Sequence, residues 1–406
     1  MARFLVTGLH YAPEPLGNAP YTTAYAEALA AAGHRVDVVT GYPHYPEWTS
    51  DRREWRWRTE LVNGVRVHRV PHLVPSTPDA KGRLLLEASY GLATLPEVAR
   101  RSADAVIGVI PTLSGGLAAR LAGFVRRKPV GLLVQDLVSA AAAHGGVPGA
   151  SPRIARAVGA VERRIVRGAH VVVVARGFEE PVVAAGARSV TYAPNFTTLA
   201  AAPTRPRAET RARLGVAPDA FVVGYSGNLG FKQDFDTVIG AATLLRDEPD
   251  VCFLVVGEGS QRERLATAIA DGRMRGVLQP LQPSEEVPAV LDAADVLLAP
   301  QRPTDIDMSI PSKLTAYFAS GRPVVAAASP ASETAAQVTT SCGGLVVPPE
   351  DPQALAEAIR SLRAQEPLRE ALGAAGRAYA LDVFDRGRAE ARFVAWAEDL
   401  AAHRLG

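Results

Sequence analysis

Short runs of apolar and β-branched residues alternate with alanine-rich stretches along the first half of the chain. Uninterrupted apolar runs of this kind are typical of strands buried on both faces of a parallel sheet, with helices crossing between them. We therefore predict an α/β domain. Its six predicted strands are Phe4–Thr7, Val36–Thr40, Val65–Val70, Ala105–Val109, Val130–Val134 and His170–Val174.

The segment Thr197–Arg207 interrupts this pattern. It is rich in Ala, Thr and Pro, has no apolar period, and contains Pro203 and Pro206, which disfavour a helix. We interpret it as a linker between domains 1–196 and 208–385. The alternation then resumes at Phe221–Tyr225, Cys252–Val256, Val277–Leu278, Val296–Ala299, Pro323–Ala326 and Leu345–Val347.

The chain closes with an amphipathic stretch, residues 386–406. Phe393, Trp396 and Leu400 fall on one face of a helix there, and we expect this helix to pack across the domain junction. The predicted fold class is thus α/β, with two Rossmann-like, doubly wound domains facing each other across a cleft. Open sheets of this type bind ligands beyond the carboxyl ends of their strands.

Composition narrows the function classes. Of 406 residues, 48% are hydrophobic and 21% charged, which excludes a disordered chain. The formal net charge is only +2, so nucleic acid is not an expected partner. Two distant cysteines, Cys252 and Cys342, provide neither a disulfide framework nor a thiolate zinc site. Since the histidines show no ligand spacing either, we predict no metal site, and for His44 packing is preferred over an acceptor contact.

We predict no membrane-spanning segment, because no stretch of about 18 apolar residues occurs. The apolar run at the N-terminus is too short for a secretory leader and is predicted to be the first strand. A soluble, cytoplasmic protein is expected. Four arginines at helical spacing, Arg153, Arg156, Arg163 and Arg167, form either a solvated face or a peripheral contact with the inner membrane surface.

A glycine-punctuated turn, Gly224–Gln233, follows the first strand of the second domain. Its backbone N–H groups could approach a phosphate closely, and the helix predicted from about Asp234 would add positive partial charge. Lys232 would neutralise a diphosphate. The alternative is an ordinary turn between a strand and a helix.

A second candidate anion site begins at Ser309. Pro311 stands at the start of a predicted short helix that ends at Gly321, so the first N–H groups of the helix, Ser312 and Lys313 could meet an anion. Lysine is rare in this chain, which makes the presence of one lysine in each segment notable. The alternative is a capped helix with an exposed lysine.

Taken together, these segments resemble family 4 glycosyltransferases, closest to the fucosyl- and amino-sugar transferases of capsule and O-antigen pathways. The similarity covers nearly the whole chain. It rests on Tyr11–Gly17, Gly33–Val36, Tyr42–Trp48, Gly227–Lys232, Gly257–Gly259, Ala294–Val296, Pro311–Leu314, Gly321–Val325 and Gly343–Pro349, in that order.

The resemblance implies a GT-B fold that holds a nucleotide sugar in the second domain and the acceptor in the first, and a reaction that retains anomeric configuration without a metal. It places Lys232 and Asn228 at the family's basic pair on the diphosphate, although Asn228 carries no charge. Asp136 falls near the reacting sugar, but Gln135 replaces a common histidine beside it. Further donor contacts are expected at Gly17, Gly227, Gly257, Gln279, Ser309 and Ser312, with Lys313 also assisting catalysis.

Two glutamates of the family are missing. Their positions hold Met308 and Ala316, so the donor sugar and the ribose need other partners; Asp305 or Asp307 and Glu333 are the candidates. An apolar Met308 leaves sugar hydroxyls without acceptors, which favours a deoxy or N-acetylated deoxyhexose donor. Otherwise Met308 packs in the core and ordinary glucose or N-acetylglucosamine is used.

The expected function is transfer of a hexose from a nucleotide diphosphate sugar, UDP first and GDP second, to a hydroxyl of a glycan, a lipid-linked sugar or a secondary metabolite. No permanently bound cofactor is expected. One alternative is a non-catalytic binding subunit or sugar-nucleotide sensor, because both donor carboxylates are missing. A further alternative is an epimerase or phosphorylase on the same fold.

Overall fold

A computed structural model describes residues 1–15, 17–45, 48–49, 55–76, 79–138, 152–197, 202–303 and 312–404, without the side chains of 152 and 312. The chain divides into two compact units. The first comprises Met1–Asn195 together with Gly387–Gly406, and the second comprises Phe196–Arg386.

The sheet of the first unit has eight strands in the described part of the chain, in the order β3-β4-β2-β1-β5-β6-β7-β8. All neighbours pair in parallel except β3 and β4. The strands are β1 (Arg3–Thr7), β2 (Arg35–Thr40), β3 (Arg58–Val62), β4 (Val65–Arg69), β5 (Ala105–Ile110), β6 (Val130–Val134), β7 (His170–Val173) and β8 (Ser189–Tyr192).

Helices cover this sheet, and the helical crossovers allow the strands that they connect to run in parallel. A short 3₁₀ turn, Arg176–Phe178, precedes the fifth of them. The described helices between β1 and β8 are α1 (Ala19–Ala31), α2 (Ala80–Arg100), α3 (Leu113–Arg126), α4 (Pro152–Val166) and α5 (Glu179–Ala184).

The second unit holds a fully parallel sheet, β11-β10-β9-β12-β13-β14. Its strands are β9 (Phe221–Ser226), β10 (Val251–Val256), β11 (Gly276–Gln279), β12 (Val296–Pro300), β13 (Val324–Ala327) and β14 (Gly344–Val347). Its helices are α6 (Arg207–Leu214), α7 (Phe235–Leu244), α8 (Arg262–Ala270), α9 (Val287–Ala293), α10 (Ser312–Ser320), α11 (Glu333–Ser341), α12 (Pro352–Ala364) and α13 (Glu366–Val383).

The predicted α/β fold is confirmed, because every predicted strand is found. Strands such as β5 and β6 are buried at every residue, as their unbroken apolar runs require. Sequence analysis missed β3 and β8, whose residues are only partly buried. Their mixed polar pattern resembles that of loops, and β3 makes the first sheet mixed rather than purely parallel.

The last helix, α14 (Arg386–Ala401), returns to the first unit. The predicted apolar face is buried: the ring of Phe393 stacks on Tyr25 at 4.4 Å between centroids. A β-carbon on Gly131 of β6 would lie 2.4 Å from the Trp396 ring and 2.7 Å from Leu400. Because the Trp396 ring occupies the place of a side chain at residue 131, the glycine in β6 allows α14 to pack against the strand. Residues 198–201 of the predicted linker lie outside the described residues.

Candidate active site

The turns after β9 and β10 interlock through their backbones. The Gly227 amide donates to the Val256 carbonyl at 3.0 Å. A β-carbon at Gly257 would lie only 2.0 Å from the Gly227 carbonyl oxygen, so no larger residue fits there. Gly227 itself has a φ of 144°, a conformation that side chains disfavour. Two glycines therefore bring both turns to the carboxyl edge of the second sheet.

Several amides of the Gly227 turn are already bonded inside the protein. The Leu229 amide donates to the Glu258 carbonyl at 2.8 Å, and the Gly230 amide donates to Gln233 Oε1 at 3.1 Å. Among the described residues, the amides of Asn228, Phe231 and Lys232 have no internal acceptor. These three are the N–H groups that the turn can offer to an anion.

The helix after the turn is already capped. Asp234 directly precedes α7 and accepts hydrogen bonds from the Thr237 amide at 3.2 Å and the Thr237 hydroxyl at 2.5 Å. Its buried carboxylate occupies the positive end of the helix. The expectation that this helix end serves a phosphate is therefore weakened, and the electropositive groups must come from elsewhere.

Lys313, in the first turn of α10, reaches the Gly227 turn. Its ammonium donates to the Tyr225 hydroxyl at 2.8 Å and lies 4.5 Å from the centre of the tyrosine ring. A β-carbon at Gly227 would be 4.0 Å from Lys313 Cε. The structure thus places a cation directly beside the exposed backbone of the glycine turn.

Two tyrosines that the sequence analysis did not single out hold this arrangement. Burial raises the pKa of Tyr225, so its hydroxyl stays neutral, accepts from Lys313 and donates to the Asn228 carbonyl at 2.6 Å. The Tyr317 hydroxyl bonds both the amide and the carbonyl of Ser226, at 2.9 and 3.0 Å. The sequence signal that could have found them is a tyrosine, with its polar hydroxyl, on an otherwise apolar strand or helix face.

Lys232 lies at the far end of the same turn with its side chain exposed. Among the described residues its ammonium forms no ion pair. Its backbone is fixed by Arg302, whose amide donates to the Lys232 carbonyl at 3.1 Å and whose Nε donates to the Phe231 carbonyl at 2.8 Å. Arg302 is a second cation at this turn that the sequence analysis missed.

Gln279 ends β11, and Glu333 begins the helix that follows β13. The Gln279 carbonyl accepts from the Gly257 amide at 3.1 Å, while its side-chain amide donates to the Leu214 carbonyl at 3.0 Å. Glu333, in the first turn of α11, is buried and accepts from Gln337 at 2.6 Å. Both side chains have structural partners, and Glu333 lies in the helix that follows β13.

The remaining donor candidates lie outside the described residues. Asp305, Asp307, Met308 and Ser309 fall in the undescribed stretch 304–311, and the side chain of Ser312 is likewise not described. Ala316 is described: it is 8% exposed and belongs to the apolar core of the second unit. The position at which the resemblance expects a carboxylate therefore carries a buried methyl group.

In the first unit, Gly17 and Asp136 follow the ends of β1 and β6. Gly17 has a φ of 67°, and a β-carbon there would lie 3.7 Å from the Tyr45 ring. Asp136 is exposed, and its Oδ1 accepts from the Leu137 amide at 2.8 Å. Gln135 is buried and accepts from Asn195 at 2.7 Å, which anchors the residue that stands where a histidine was expected.

A histidine cluster lies beside the Gly17 loop. His10 Nδ1 is 2.7 Å from Glu14 Oε2, and Glu14 Oε1 accepts from the amides of His44 and Tyr45 at 2.9 and 3.1 Å. Candidate ligand atoms of His10, Glu14 and His44 lie within 4.8 Å of one another, a group that could hold a metal ion. The sequence missed it because the three residues share no ligand spacing.

Burial governs the charges of this cluster. Burial lowers the pKa of His44, and it lowers the pKa of His72 to about 4, with His44 contributing. Burial opposes ionisation of Glu14, but hydrogen bonds from His10 and from two backbone amides hold its pKa below the usual range. The cluster therefore holds an ionised carboxylate beside His44 and His72, whose burial favours the neutral imidazole.

Comparison with known proteins identifies the family. Residues 17–196 match the glycosyl transferase 4-like domain, and residues 220–365 match the glycosyl transferases group 1 domain. A protein of Escherichia coli (strain K12), named as a colanic acid biosynthesis glycosyl transferase, WcaI, is 32% identical over 88% of this chain and 91% of its own.

Solved structures agree on the fold. Sucrose-phosphate synthase from Thermosynechococcus elongatus superposes with a TM-score of 0.75 at 20% identity, covering 99% of this chain and 100% of that one. Anabaena Alr3699/HepE in complex with UDP-glucose gives 0.67 at 17% identity, covering 98% and 100%. Both domain families match, and the Escherichia coli relative WcaI is 32% identical across most of the chain. With its two Rossmann-like units, the chain therefore belongs to the group 1, family 4-like glycosyltransferases of GT-B fold.

Proposed function

We propose that this glycosyltransferase moves a hexose from a nucleotide diphosphate sugar to an acceptor hydroxyl, with retention of configuration and without a metal. The acceptor is a glycan, a lipid-linked sugar or a secondary metabolite. The proposed setting is the cytoplasm, with peripheral contact at the inner membrane face. None of the described helices is both long and apolar enough to cross a bilayer.

The observation that carries the proposal is the position of Lys313 against the Gly227 turn. As the bond to the sugar breaks, negative charge develops on the diphosphate, and a cation beside bare backbone stabilises it. Lys232 and the amides of Asn228 and Lys232 supply further positive groups. Gln279 and Glu333 are proposed to contact the base and the ribose, Gly257 to leave room for the nucleotide, and Gly17 and Asp136 to face the transferred sugar.

The test compares nucleotides in wild type and Lys313→Ala. A ligand at about 100 times its Kd adds roughly 2.7 kcal/mol to the free energy of unfolding, so thermal shift ranks UDP against GDP directly. We expect the larger shift with UDP, and a reduced shift for both in Lys313→Ala. Tyr225→Phe, which removes only the hydroxyl that holds Lys313, should give an intermediate shift. Unchanged shifts in both variants would exclude this turn as the diphosphate site.

Transfer itself is tested with a panel of UDP-, GDP- and dTDP-sugars and sugar acceptors. NMR of the product reports retention, and unchanged turnover after chelation with EDTA supports metal independence. Binding of nucleotide without transfer or hydrolysis anywhere in the panel would favour the non-catalytic sensor, which the buried Ala316 also supports. Isomerised or phosphorolysed sugar would instead identify an epimerase or a phosphorylase.

The donor sugar is proposed to be a deoxy or N-acetylated deoxyhexose, because Met308 offers no acceptor to a hydroxyl. Competition between UDP-N-acetylglucosamine and deoxysugar nucleotides measures this preference as a ratio of kcat/KM. Met308→Glu should shift the ratio toward fully hydroxylated donors. If UDP-glucose or UDP-N-acetylglucosamine is already the better donor in wild type, the deoxysugar proposal is wrong.

A further inference from the structure

Three consecutive crossover helices of the first unit lie side by side and expose apolar side chains. A β-carbon at Gly91 of α2 would lie 3.0 Å from Ser114 of α3, and one at Gly116 of α3 would lie 2.8 Å from Ile165 of α4. Eight large apolar residues of α2 and α3 are more than one-third exposed, Phe124 at 83% and Leu92 at 70% being the most open. They are Leu84, Leu85, Leu92, Leu95, Leu117, Leu121, Phe124 and Val125.

These side chains form stripes rather than scattered positions. Leu117, Leu121 and Phe124 recur at the spacing of one helix face on α3, and Leu85 and Leu92 are two turns apart on α2. Trp57 adds an aromatic ring: it is 55% exposed, and its indole N–H donates to the Ala93 carbonyl of α2 at 3.3 Å. Large exposed apolar side chains gathered on helices that pack side by side are typical of an interaction site.

The exposed charge within these three helices is positive, whereas the exposed Asp79 directly before α2 caps that helix by accepting from the Gly82 amide at 2.7 Å. The acidic residues of α2, α3 and α4 are not exposed. Glu87 accepts from the amides of Leu113 and Ser114 at the start of α3, at 3.2 and 2.9 Å. Glu97 pairs with Arg101 at 2.5 Å, and Glu162 accepts from the Val138 amide at 2.8 Å. The exposed cations on these helices and directly after them are Lys81, Arg83, Arg100, Arg127, Arg153, Arg156, Arg163, Arg164 and Arg167.

A basic cavity of about 360 Å³ opens beside Phe124, at the amino ends of β6 and β7. No acidic residue lines it. The Lys128 ammonium also lies 3.9 Å from Oδ1 of Asp104, which is outside the cavity lining. The cationic or titratable residues that line the cavity are Arg120, Arg127, Lys128, His170, Arg188 and His403. A cavity of this composition suits the phosphate of a lipid headgroup, with Phe124 at its rim to enter the acyl region.

We propose that the face made by α2, α3 and α4, with Trp57 and the cavity at Phe124, binds an anionic phospholipid surface. Exposed leucines, an aromatic ring and a surround of arginines are the combination that lies in the membrane interface. A second copy of this chain is disfavoured as the occupant, because a symmetric contact would bring two faces of the same positive charge together. The inference rests on the peripheral location proposed above and adds its surface and its lipid chemistry.

The test is co-sedimentation of the full chain with vesicles. Vesicles of equal parts phosphatidylcholine and phosphatidylglycerol should bind the protein, and vesicles of phosphatidylcholine alone should bind it at least about tenfold more weakly. Added salt should weaken binding, because it screens the arginines. The double variant Leu92→Ser with Phe124→Ser should reduce the partition coefficient by about tenfold or more, since each removes apolar area from the acyl boundary. The double variant Arg163→Glu with Arg167→Glu should reduce binding to the anionic vesicles and leave binding to phosphatidylcholine vesicles unchanged.

The matched control is Leu244→Ser with Leu381→Ser, two exposed leucines of the second unit, which should bind vesicles like wild type. Equal binding to both vesicle types, or no binding to either, would overturn the proposal. So would a concentration-dependent dimer in light scattering that the Leu92 and Phe124 changes abolish. The variants should keep wild-type transfer to a water-soluble acceptor, and Lys232→Ala should keep wild-type vesicle binding, so failure of the transfer proposal is distinguishable.

Discussion

At the scale of single residues, the two lysines of the proposed donor site have different environments. Lys313 is held against Tyr225 and the Gly227 turn, whereas Lys232 is exposed on the same turn and depends on Arg302 for the position of its backbone. We assign Lys313 to holding the diphosphate in place. For the exposed Lys232 we propose a contact with the diphosphate that forms once the donor is bound.

Lys232→Ala tests the second role. Loss of one charge-assisted contact to the developing anion should cost on the order of 3 kcal/mol, or about a hundredfold in kcat. Initial rates at saturating donor and acceptor measure it. Arg246→Ala, an exposed cation of the same unit, is the control and should keep wild-type kcat. Wild-type turnover in Lys232→Ala would remove this residue from the catalytic assignment.

The pKa of His72 predicts a pH dependence of stability. His72 is surrounded by His44, His10 and Glu14, and burial lowers its folded pKa to about 4. Between an unfolded pKa of about 6.5 and that value, the unfolded chain binds a proton that the folded chain does not. Stability should therefore fall as pH falls through this window, by up to about 3 kcal/mol from this residue.

Urea unfolding of wild type and His72→Asn between about pH 7 and about pH 4 measures this effect. The variant should be less stable near neutrality, where it loses packing, yet show the shallower decline in acid. Parallel curves would mean that His72 carries its proton equally in both states.

At the scale of elements, the contact between the β9 and β10 turns fixes the backbone of the proposed donor site. Gly257→Ala places a methyl group against the Gly227 carbonyl, a backbone atom that cannot move aside. We expect a loss of about 1–3 kcal/mol in the free energy of unfolding and a loss of nucleotide binding.

Gly230→Ala is the matched control in the same turn. Its β-carbon would meet only the side chains of Asn228 and Gln233, at 3.0 and 3.4 Å, and both can shift. Nucleotide-dependent thermal shift and denaturant unfolding compare the two variants. Equal effects would show that the close backbone approach at Gly257 is not limiting.

At the scale of the whole molecule, the chain leaves the first unit, builds the second and returns. Residues 387–406 complete the first unit through Phe393, Trp396 and Leu400, although they are far from it in sequence. The stability of the first unit thus depends on residues that follow the second unit along the chain. A shortened chain would lack part of the core of the first unit.

Trp396→Ala is expected to destabilise the first unit by about 3–5 kcal/mol, the usual cost of removing a buried tryptophan side chain. In a thermal scan the transition of the first unit should move to lower temperature, while the transition that UDP raises should stay in place. Leu381→Ala, at an exposed position, should move neither. A fall in the UDP-sensitive transition alone would contradict the assignment of α14 to the first unit.

Much of the fold was predictable because unbroken apolar runs in the sequence indicate which strands are buried. Strands such as β5 and β10 are unbroken apolar runs, and order along the chain with right-handed crossovers fixes much of the parallel topology. The same local order placed Gly227, Lys232 and Lys313 at strand and helix ends. Only partly buried strands such as β3 escaped, because their composition resembles that of loops.

The sequence by itself therefore determined the α/β class, most of the strands and the two-domain pattern, since these depend on local periodicity. It also singled out the glycine turn at Gly227, because backbone freedom is a local property of glycine. Tertiary structure decided the rest, because it joins residues distant along the chain. It placed Lys313 on Tyr225, a bond across 88 positions, and gathered His10, Glu14 and His44. It also returned α14 to the first unit and set α2 and α3 together as an apolar, cationic face, which single-helix periodicity does not reveal.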